Sequence, residues 1–355
     1  MRKFFLVVVL LAAGIAVGYW WLQDQYYAPG PSTDIVRIQV EQGESVRTVL
    51  TQLAKLEVVK RPRAIEFYLR ITRHNKAPRI QVGMYEIPAG SSPAQILELF
   101  DQGRVVLEQL TLVEGSRFAD LRHLLDNHAA ITHTLQGKSD ADVMAALGHP
   151  GEFPEGRFFP DTYRFAAKTT DVEILGLAYS AMQRVLDEAW QQRSPDLPFQ
   201  TPYEALILAS IIEKETGLPA ERPKIAGAFV TRLRKGMRLQ TDPAVIYGLG
   251  ASYDGSIRTK DLTTDTPYNT YTRAGLPPTP IALPGRESVF AAVKPQETGE
   301  IYFVATATGD GGHHFSKTLE EHNAAVKSYL EHLRAQQHKP QKGQTETGAH
   351  GDIAR

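Results

Sequence analysis

The first apolar segment of the chain runs from Phe4 to Leu22 without a charged residue. A helix of this length spans roughly 28 Å, close to the thickness of a bilayer's hydrocarbon core. Two basic residues precede the segment, and two acidic residues follow it before any further basic residue. The positive-inside rule therefore predicts a single transmembrane helix at 4–22, with residues 1–3 in the cytoplasm and the remainder in the periplasm.

A cleavable signal peptide is the alternative interpretation of this segment. Ala16-Val17-Gly18 offers small residues at a spacing that a signal peptidase accepts. The apolar run continues beyond that point as Tyr19-Trp20-Trp21, which is typical of the aromatic belt at a membrane interface. The aromatic continuation favours an uncleaved helix in the inner membrane, and both interpretations place the body on the same side.

A local pattern of strand, glycine turn and capped amphipathic helix recurs three times after the membrane segment. The strands are predicted at 35–40, 84–88 and 108–113, and the helices at 46–56, 93–100 and 118–125. The first two repeats resemble the halves of a LysM-type module, a small fold that often binds peptidoglycan sugars. The pattern fits a generic strand-to-helix connection equally well. We expect a LysM-like subdomain at 35–103, preceded by a short stiff linker at 23–34 that contains Ala28-Pro29-Gly30-Pro31-Ser32.

The remaining sequence predicts a larger catalytic domain at 104–335, so the expected fold class is α+β. Long helices are predicted at 171–192, 202–216 and 221–235, followed by a hairpin at 301–316 with its turn at 309–312 and a final helix ending near 334. The helix at 202–216 has the clearest start, because Thr201-Pro202-Tyr203-Glu204 forms a capping box. The polar tail at 336–355 is predicted to be disordered.

Composition excludes several classes of function. The formal net charge of −1 gives no global field that would attract nucleic acid. The chain contains no cysteine, which excludes disulfides, cysteine-ligated zinc and a thiol nucleophile. His313, His314 and His322 lie on a hairpin and a helix without the spacing of zinc ligands, so we expect neither a metal nor a cofactor.

Two glutamates in the last turn of the predicted helix 202–216 are the strongest candidates for chemistry. Burial in an apolar wall raises the pKa of a carboxyl group, and a protonated carboxyl can act as a general acid at neutral pH. Glu213 and Glu215 are rotated by about 200° from one another, so they cannot share one site. Each lies over an apolar stripe of the helix, or simply extends to solvent at its end. Periodicity does not choose between them.

Four segments of the chain, in the same order, closely resemble the MltG/YceG family of membrane-anchored endolytic murein transglycosylases. These segments lie at 209–216 (ASIIEKET), 232–248, 266–285 and 303–323, and the loop EGRFFPDTY at 155–163 shares the likeness. The resemblance implies that the first glutamate of the EKE motif, Glu213, is the catalytic residue. It also implies cleavage of the MurNAc–GlcNAc bond within nascent strands. One carboxyl then serves as acid and afterwards as base, leaving a 1,6-anhydroMurNAc end and terminating strand elongation.

Several polar and aromatic residues are candidate sugar contacts in such a site. They are Gln240, Thr241, Asp242, Tyr268, Asn269, Tyr271 and Glu155. Thr241-Asp242 also fits a helix N-cap, and the Tyr-Asn cluster also fits hydrogen bonds that hold a loop. The resemblance implies peptidoglycan strands, the inner membrane, and peptidoglycan synthases or elongation and division factors as partners. A hydrolytic muramidase and a non-catalytic peptidoglycan-binding scaffold are the rival functions.

Overall fold

A computed structural model of the chain describes residues 1–72, 79–307 and 310–337. The chain forms two compact units. The first unit contains Met1–Leu110, Leu124–Gln136 and Thr162–Ile174; the second contains the remainder. Helices and strands occur in both units, which confirms the mixed fold class.

The first unit is built on two pairs of short strands. Strand β1 (Val36–Val40) pairs antiparallel with β2 (Gly83–Ile87), and β3 (Leu107–Thr111) pairs with β4 (Thr162–Ala166). Its helices are α1 (Arg2–Tyr27), α2 (Val46–Lys55), α3 (Pro62–Thr72) and α4 (Pro93–Asp101). Alternating residues of β1 and β2 join the apolar faces of these helices in one core, as half-buried strands and amphipathic helices require. The LysM-like character of this region stays a prediction.

The segment predicted as a linker is folded onto the first unit. Helix α1 continues to Tyr27, beyond the predicted end of the membrane span, and Leu22 and Tyr26 are buried in the unit's core. The backbone N–H of Gly30 then donates to the carbonyl of Gly90, whose own N–H donates to the carbonyl of Ser32. Helix α1 therefore continues directly into the packed part of the first unit.

The second unit is mainly helical. Helices α5 (Phe118–Asp126) and α7 (Asp171–Gln191) contribute residues to both units. The other helices are α6 (Asp140–Ala146), α8 (Pro202–Glu215), α9 (Arg222–Arg234), α10 (Asp242–Leu249), α11 (Thr259–Thr263), α12 (Arg286–Val293) and α13 (Leu319–Gln337). Strands β5 (Tyr302–Ala305) and β6 (His313–Ser316) form the predicted antiparallel hairpin. Part of its turn (308–309) and the tail from 338 lie outside the described residues.

Helix α8 is the centre of the second unit. The predicted capping box is present, since the Thr201 hydroxyl accepts from the N–H of Glu204 and the Glu204 carboxylate accepts from the N–H of Thr201. From Ala205 to Ile212 every residue is buried, as expected for a helix that is apolar on all sides. It packs against α9, α10 and α12. The two glutamates follow in its last turn, where the apolar core gives way to polar loops.

Candidate active site

Glu213 lies in a buried ion-pair network. Its side chain is only 5% exposed. One carboxylate oxygen accepts from Nη2 of Arg222 at 3.2 Å, and the other accepts from the N–H of Gly285 at 2.9 Å. The surroundings of Glu213 are therefore a cation and a backbone donor, not the purely apolar wall that the helical pattern suggested.

Arg222 joins Glu213 to two further carboxylates. Its Nη1 donates to Glu287 at 2.7 Å, and its Nη2 lies 3.5 Å from Glu114. Burial, and secondarily the negative charge of Glu213, raises the pKa of Glu114. A Cβ at Gly285 would lie 1.9 Å from a Glu114 oxygen, so any larger residue there would displace the Glu114 carboxylate from its place beside Arg222. This arrangement fixes the end of α8 against the start of α12.

Glu215 lies among a different set of groups. Burial raises its pKa to about 7, and the negative charge of Asp242 adds to the rise. The Thr241 side chain and the positive charges of His313 and Arg232 lower it. A carboxyl group with this pKa is present in both protonation states near neutral pH, as a residue that must give and then take a proton requires.

A polar rim beside Glu215 is formed by Thr241, Asp242 and Tyr271. Asp242 is the first residue of α10, and it accepts a hydrogen bond from the Tyr271 hydroxyl at 2.6 Å. The N–H of Thr241 donates to the Thr270 hydroxyl at 2.9 Å, while the Thr241 side chain does not cap the helix. Gln240 has a φ of 51°, a conformation that non-glycine residues rarely adopt and that is enriched at functional sites.

Two of the predicted sugar contacts, Asn269 and Tyr268, form hydrogen bonds that hold a loop. Asn269 is fully buried, and its Nδ2 donates to the carbonyls of Asp261, Leu262 and Thr264. Its Oδ1 accepts from the N–H of Tyr271 at 2.9 Å, which sets the position of Tyr271. The Tyr268 hydroxyl lies 2.8 Å from that of Thr279. These hydrogen bonds fit the alternative that the two side chains hold the loop, and their contact with sugar stays a prediction.

Glu155 is a buried carboxyl beside the start of α5. It is 4% exposed and accepts from the N–H of Phe118 at 2.9 Å. Burial raises its pKa to about 7, while the Phe118 N–H, the Tyr247 hydroxyl and Arg117 act in the opposite direction. Glu155 therefore ties the start of α5 to Tyr247 on α10, and its contact with sugar stays a prediction.

His313 on β6 forms two hydrogen bonds with Glu221. Its Nδ1–H donates to Glu221 at 2.7 Å, and the other Glu221 oxygen accepts the His313 N–H at 2.8 Å. Glu221 thus fixes the imidazole on β6, whose positive charge lowers the pKa of Glu215. Within the part of the chain that the structure describes, no cluster of three or more histidines or carboxylates is arranged to hold a metal.

The sequence profile of the YceG-like family matches residues 38–328, which is more than half of the chain. The chain belongs to the YceG-like family. The matched region contains both glutamates of α8, the polar rim and the His313 hairpin, so the whole candidate site lies inside the family domain.

Three proteins illustrate the similarity. A protein of Bacillus subtilis (strain 168) named endolytic murein transglycosylase is 31% identical over 316 residues, covering 84% of this chain and 86% of the relative. A protein of the same name from Streptococcus pneumoniae serotype 2 (strain D39) is 26% identical, covering 92% of this chain; the chain spans 64% of that relative's length. A crystal structure of a putative yceG-like protein from Listeria monocytogenes is 29% identical with a TM-score of 0.49, covering 82% of this chain and 99% of that one.

The YceG-like motif EKE thus contains two structurally different glutamates. Sequence alone could not separate them, because their partners come from distant segments: Gly285 and Arg222 for Glu213, and the 241–242 and 313 regions for Glu215. The sequence carries one signal for the second group of partners, because His313 lies within the family-like segment 303–323.

Proposed function

We infer that this protein is an endolytic murein transglycosylase. The supporting observation is that relatives of this name align along most of the chain, with the Bacillus protein matched over 84% of it. A carboxyl group with a pKa of about 7 beside polar side chains, at Glu215, gives the chain a group suited to the reaction. The two rivals, a hydrolytic muramidase and a binding scaffold, are not favoured.

We propose Glu215 as the acid and base of this reaction. In its protonated form it donates to the oxygen that links MurNAc to GlcNAc, and the bond between that oxygen and C1 of MurNAc breaks. The resulting Glu215 carboxylate then takes the proton of the MurNAc C6 hydroxyl, whose oxygen attacks C1. The products are a free GlcNAc hydroxyl and a 1,6-anhydro ring, and the carboxyl is protonated again. The sugar supplies the nucleophile, so no water is consumed.

Asp242 and Tyr271 would serve the positively charged transition state of this reaction. The Asp242 carboxylate offers negative charge to an oxocarbenium-like sugar, and the hydrogen bond from Tyr271 fixes its orientation. Gln240 and Thr241, at the strained turn before α10, are proposed to contact the sugar hydroxyls. The left-handed backbone conformation of Gln240 supports this proposal. Such strained conformations persist only where the surrounding structure enforces them, and they cluster at functional sites.

Glu213, which the family resemblance designates, remains the alternative catalytic residue. In favour of a positioning role, both of its oxygens already accept hydrogen bonds, one of them from the buried Arg222. We propose that Glu213 holds the end of α8, and therefore Glu215, in place.

The proposed location follows from the apolar helix. We propose that residues 4–22 span the inner membrane with the N-terminus in the cytoplasm, and that the remainder acts on nascent glycan in the periplasm. The described part of the chain contains one helix long and apolar enough to cross a membrane, α1. Synthases and elongation or division factors are proposed partners because they act on the same strands; no residue identifies one of them.

Analysis of product ends tests this function. Purified protein is incubated with uncrosslinked nascent glycan, and the fragments are analysed by mass spectrometry with and without borohydride reduction. We expect internal cleavage to give anhydro ends, which lack one water and resist reduction. Reducible ends heavier by one water would establish the hydrolytic muramidase. Intact strands that nevertheless co-sediment with the protein would establish the scaffold.

A further inference from the structure

Helix α3 lies beside the membrane helix at a depth inside the predicted span. The ring of Tyr68 on α3 is 6.1 Å from that of Tyr19 and 4.8 Å from that of Tyr26, both on α1. Tyr19 comes three residues before the end of the apolar run at Leu22, about 4.5 Å along the helix axis. If the run spans the bilayer, the part of α3 that contacts Tyr19 lies at the level of the lipid headgroups.

One exposed face of α3 combines arginine with large apolar side chains. Arg63, Phe67, Arg70 and Ile71 follow the spacing i, i+4, i+7, i+8, which puts them on one side of the helix. Phe67 is 53% exposed and Ile71 is 43% exposed. The opposite side, with Ile65, Tyr68 and Leu69, is buried in the core of the first unit. We call these four exposed residues the α3 face.

The space between α3 and α1 is also lined by arginine and large apolar side chains. A groove of about 610 Å³ is lined by residues from the two helices and the turn before α3: Trp21, Leu22, Arg61, Pro62, Arg63, Ala64 and Phe67. The guanidinium of Arg61 lies 5.2 Å from the centre of the Trp21 ring. Tryptophan with a neighbouring arginine is typical of the headgroup region, where an apolar ring meets lipid phosphates.

We propose that the α3 face is a membrane-docking surface. Phe67 and Ile71 enter the boundary between headgroups and acyl chains, and Arg63 and Arg70 bind the phosphates of anionic lipids, as in other interfacial helices. A bilayer is the occupant because the face is continuous with the membrane helix and lies at the depth of Tyr19, where lipid surrounds α1. The inference rests on α1 spanning the membrane, which belongs to the proposed function.

Docking at this face would hold the first unit at a fixed height over the bilayer. A single membrane helix leaves a protein free to tilt, while a second interfacial contact removes that freedom. The first unit would then present its outer surface at a defined distance from the membrane.

Spin labels on single cysteines of the full-length chain test the docking surface. The chain has no cysteine, so each label is unique. Labels at Phe67→Cys and Ile71→Cys are compared with Gln42→Cys, an exposed turn residue, and with Leu10→Cys within the span. The protein is placed at one copy per nanodisc of phosphatidylglycerol and phosphatidylcholine, and depth is read from relaxation by oxygen and by an aqueous nickel chelate.

We expect the labels at 67 and 71 to lie about 5–10 Å into the headgroup and acyl boundary. The label at 42 should report water and the label at 10 the hydrocarbon core. If the label at 10 is in the bilayer while those at 67 and 71 report water like 42, the docking inference is wrong and the anchor stands. If the label at 10 also reports water, the proposed anchor fails together with the inference.

The role of the arginines is tested by the same depth measurement, in nanodiscs with and without phosphatidylglycerol. Arg63→Gln with Arg70→Gln should move the label at 67 outward in phosphatidylglycerol and leave it unchanged in pure phosphatidylcholine. The control is Lys55→Gln, which removes an exposed positive charge from α2. Protection of residue 67 that appears only with several copies per disc would assign the face to a second copy of this chain and overturn the lipid assignment.

Discussion

The acidity of Glu215 depends on individual neighbours with opposite effects. Burial raises its pKa to about 7 and Asp242 adds to this, while Thr241, His313 and Arg232 act against it. The reaction starts from the protonated acid, so kcat/KM should fall as the pH rises through that pKa. This fall is the descending limb of the pH profile. The pH at which it occurs reports how each neighbour changes the pKa of Glu215.

Replacing Asp242 should move that limb to lower pH. Asp242→Asn keeps the size of the side chain but removes the negative charge that raises the pKa of Glu215, so the acid loses its proton earlier. The pH dependence of kcat/KM on a defined glycan gives the shift. Tyr271→Phe is the control, because it removes the hydroxyl bonded to Asp242 and leaves the carboxylate charge.

Replacing His313 should move the limb in the opposite direction. His313→Gln removes the positive charge that lowers the pKa of Glu215, so the acid keeps its proton to higher pH. Glu221→Gln, which weakens the hold on the imidazole, serves as the comparison. Shifts of the same sign in Asp242→Asn and His313→Gln would show that these groups do not act on Glu215 by charge.

The two glutamates also show where residue-level prediction ends. Helical periodicity correctly separated Glu213 and Glu215 onto different sides of α8, and the family motif marked the pair. The choice between them depends on a cation nine residues later, Arg222, and on loops that fold back from beyond residue 240. Sequence spacing does not place such groups.

At the level of elements, Glu155 connects three segments through one buried carboxyl. It lies beside the start of α5 and Tyr247 of α10, and its pKa is raised from 4.5 to about 7. An acid with a raised pKa in the folded state stabilises most below its unfolded pKa, and that contribution is lost as the pH rises through the folded value. The free energy of unfolding should therefore fall between pH 4.5 and 7, by about 3 kcal/mol for a shift of this size.

Glu155→Gln should flatten this pH dependence, because glutamine does not ionise. Chemical denaturation of the detergent-solubilised chain at pH 5 and pH 7.5 measures the difference. Glu98→Gln, on the exposed side of α4, is the control and should keep the parent's slope. An unchanged slope in Glu155→Gln would mean that this carboxyl ionises freely in the folded protein.

Elements with their own local signals were predicted well. Helix α8 begins where its capping box predicts, and α2, α4 and α7 agree with their predicted bounds to within one residue. Helix α3, strand β4 and helix α12 were not predicted. The apolar residues of α3 are interrupted by arginines, and the N-cap residue of α12 is Gly285, which has no side chain to mark the start of the helix. Packing of α3 against α1 and of α12 against α8 stabilises these two helices, and a local sequence pattern does not show that packing.

For the whole molecule, the orientation in the membrane is the main prediction. A cysteine inserted after Met1 should react with an impermeant maleimide only after the membrane is opened, whereas Lys138→Cys, on an exposed segment, should react in intact spheroplasts. Cleavage as a signal peptide would instead remove the first cysteine from the mature protein under both conditions. The reverse labelling pattern would contradict the positive-inside assignment.

The central claim is that Glu215 transfers the proton while Glu213 holds the helix end. The measurement is the rate of anhydro-end formation by folded Glu215→Gln and Glu213→Gln proteins on the same nascent glycan. Glu215→Gln should reduce the rate by at least about 100-fold with its unfolding transition intact, whereas Glu213→Gln should keep measurable cleavage and lose stability. Cleavage at the parent's rate by Glu215→Gln, together with a folded but inactive Glu213→Gln, would contradict this assignment.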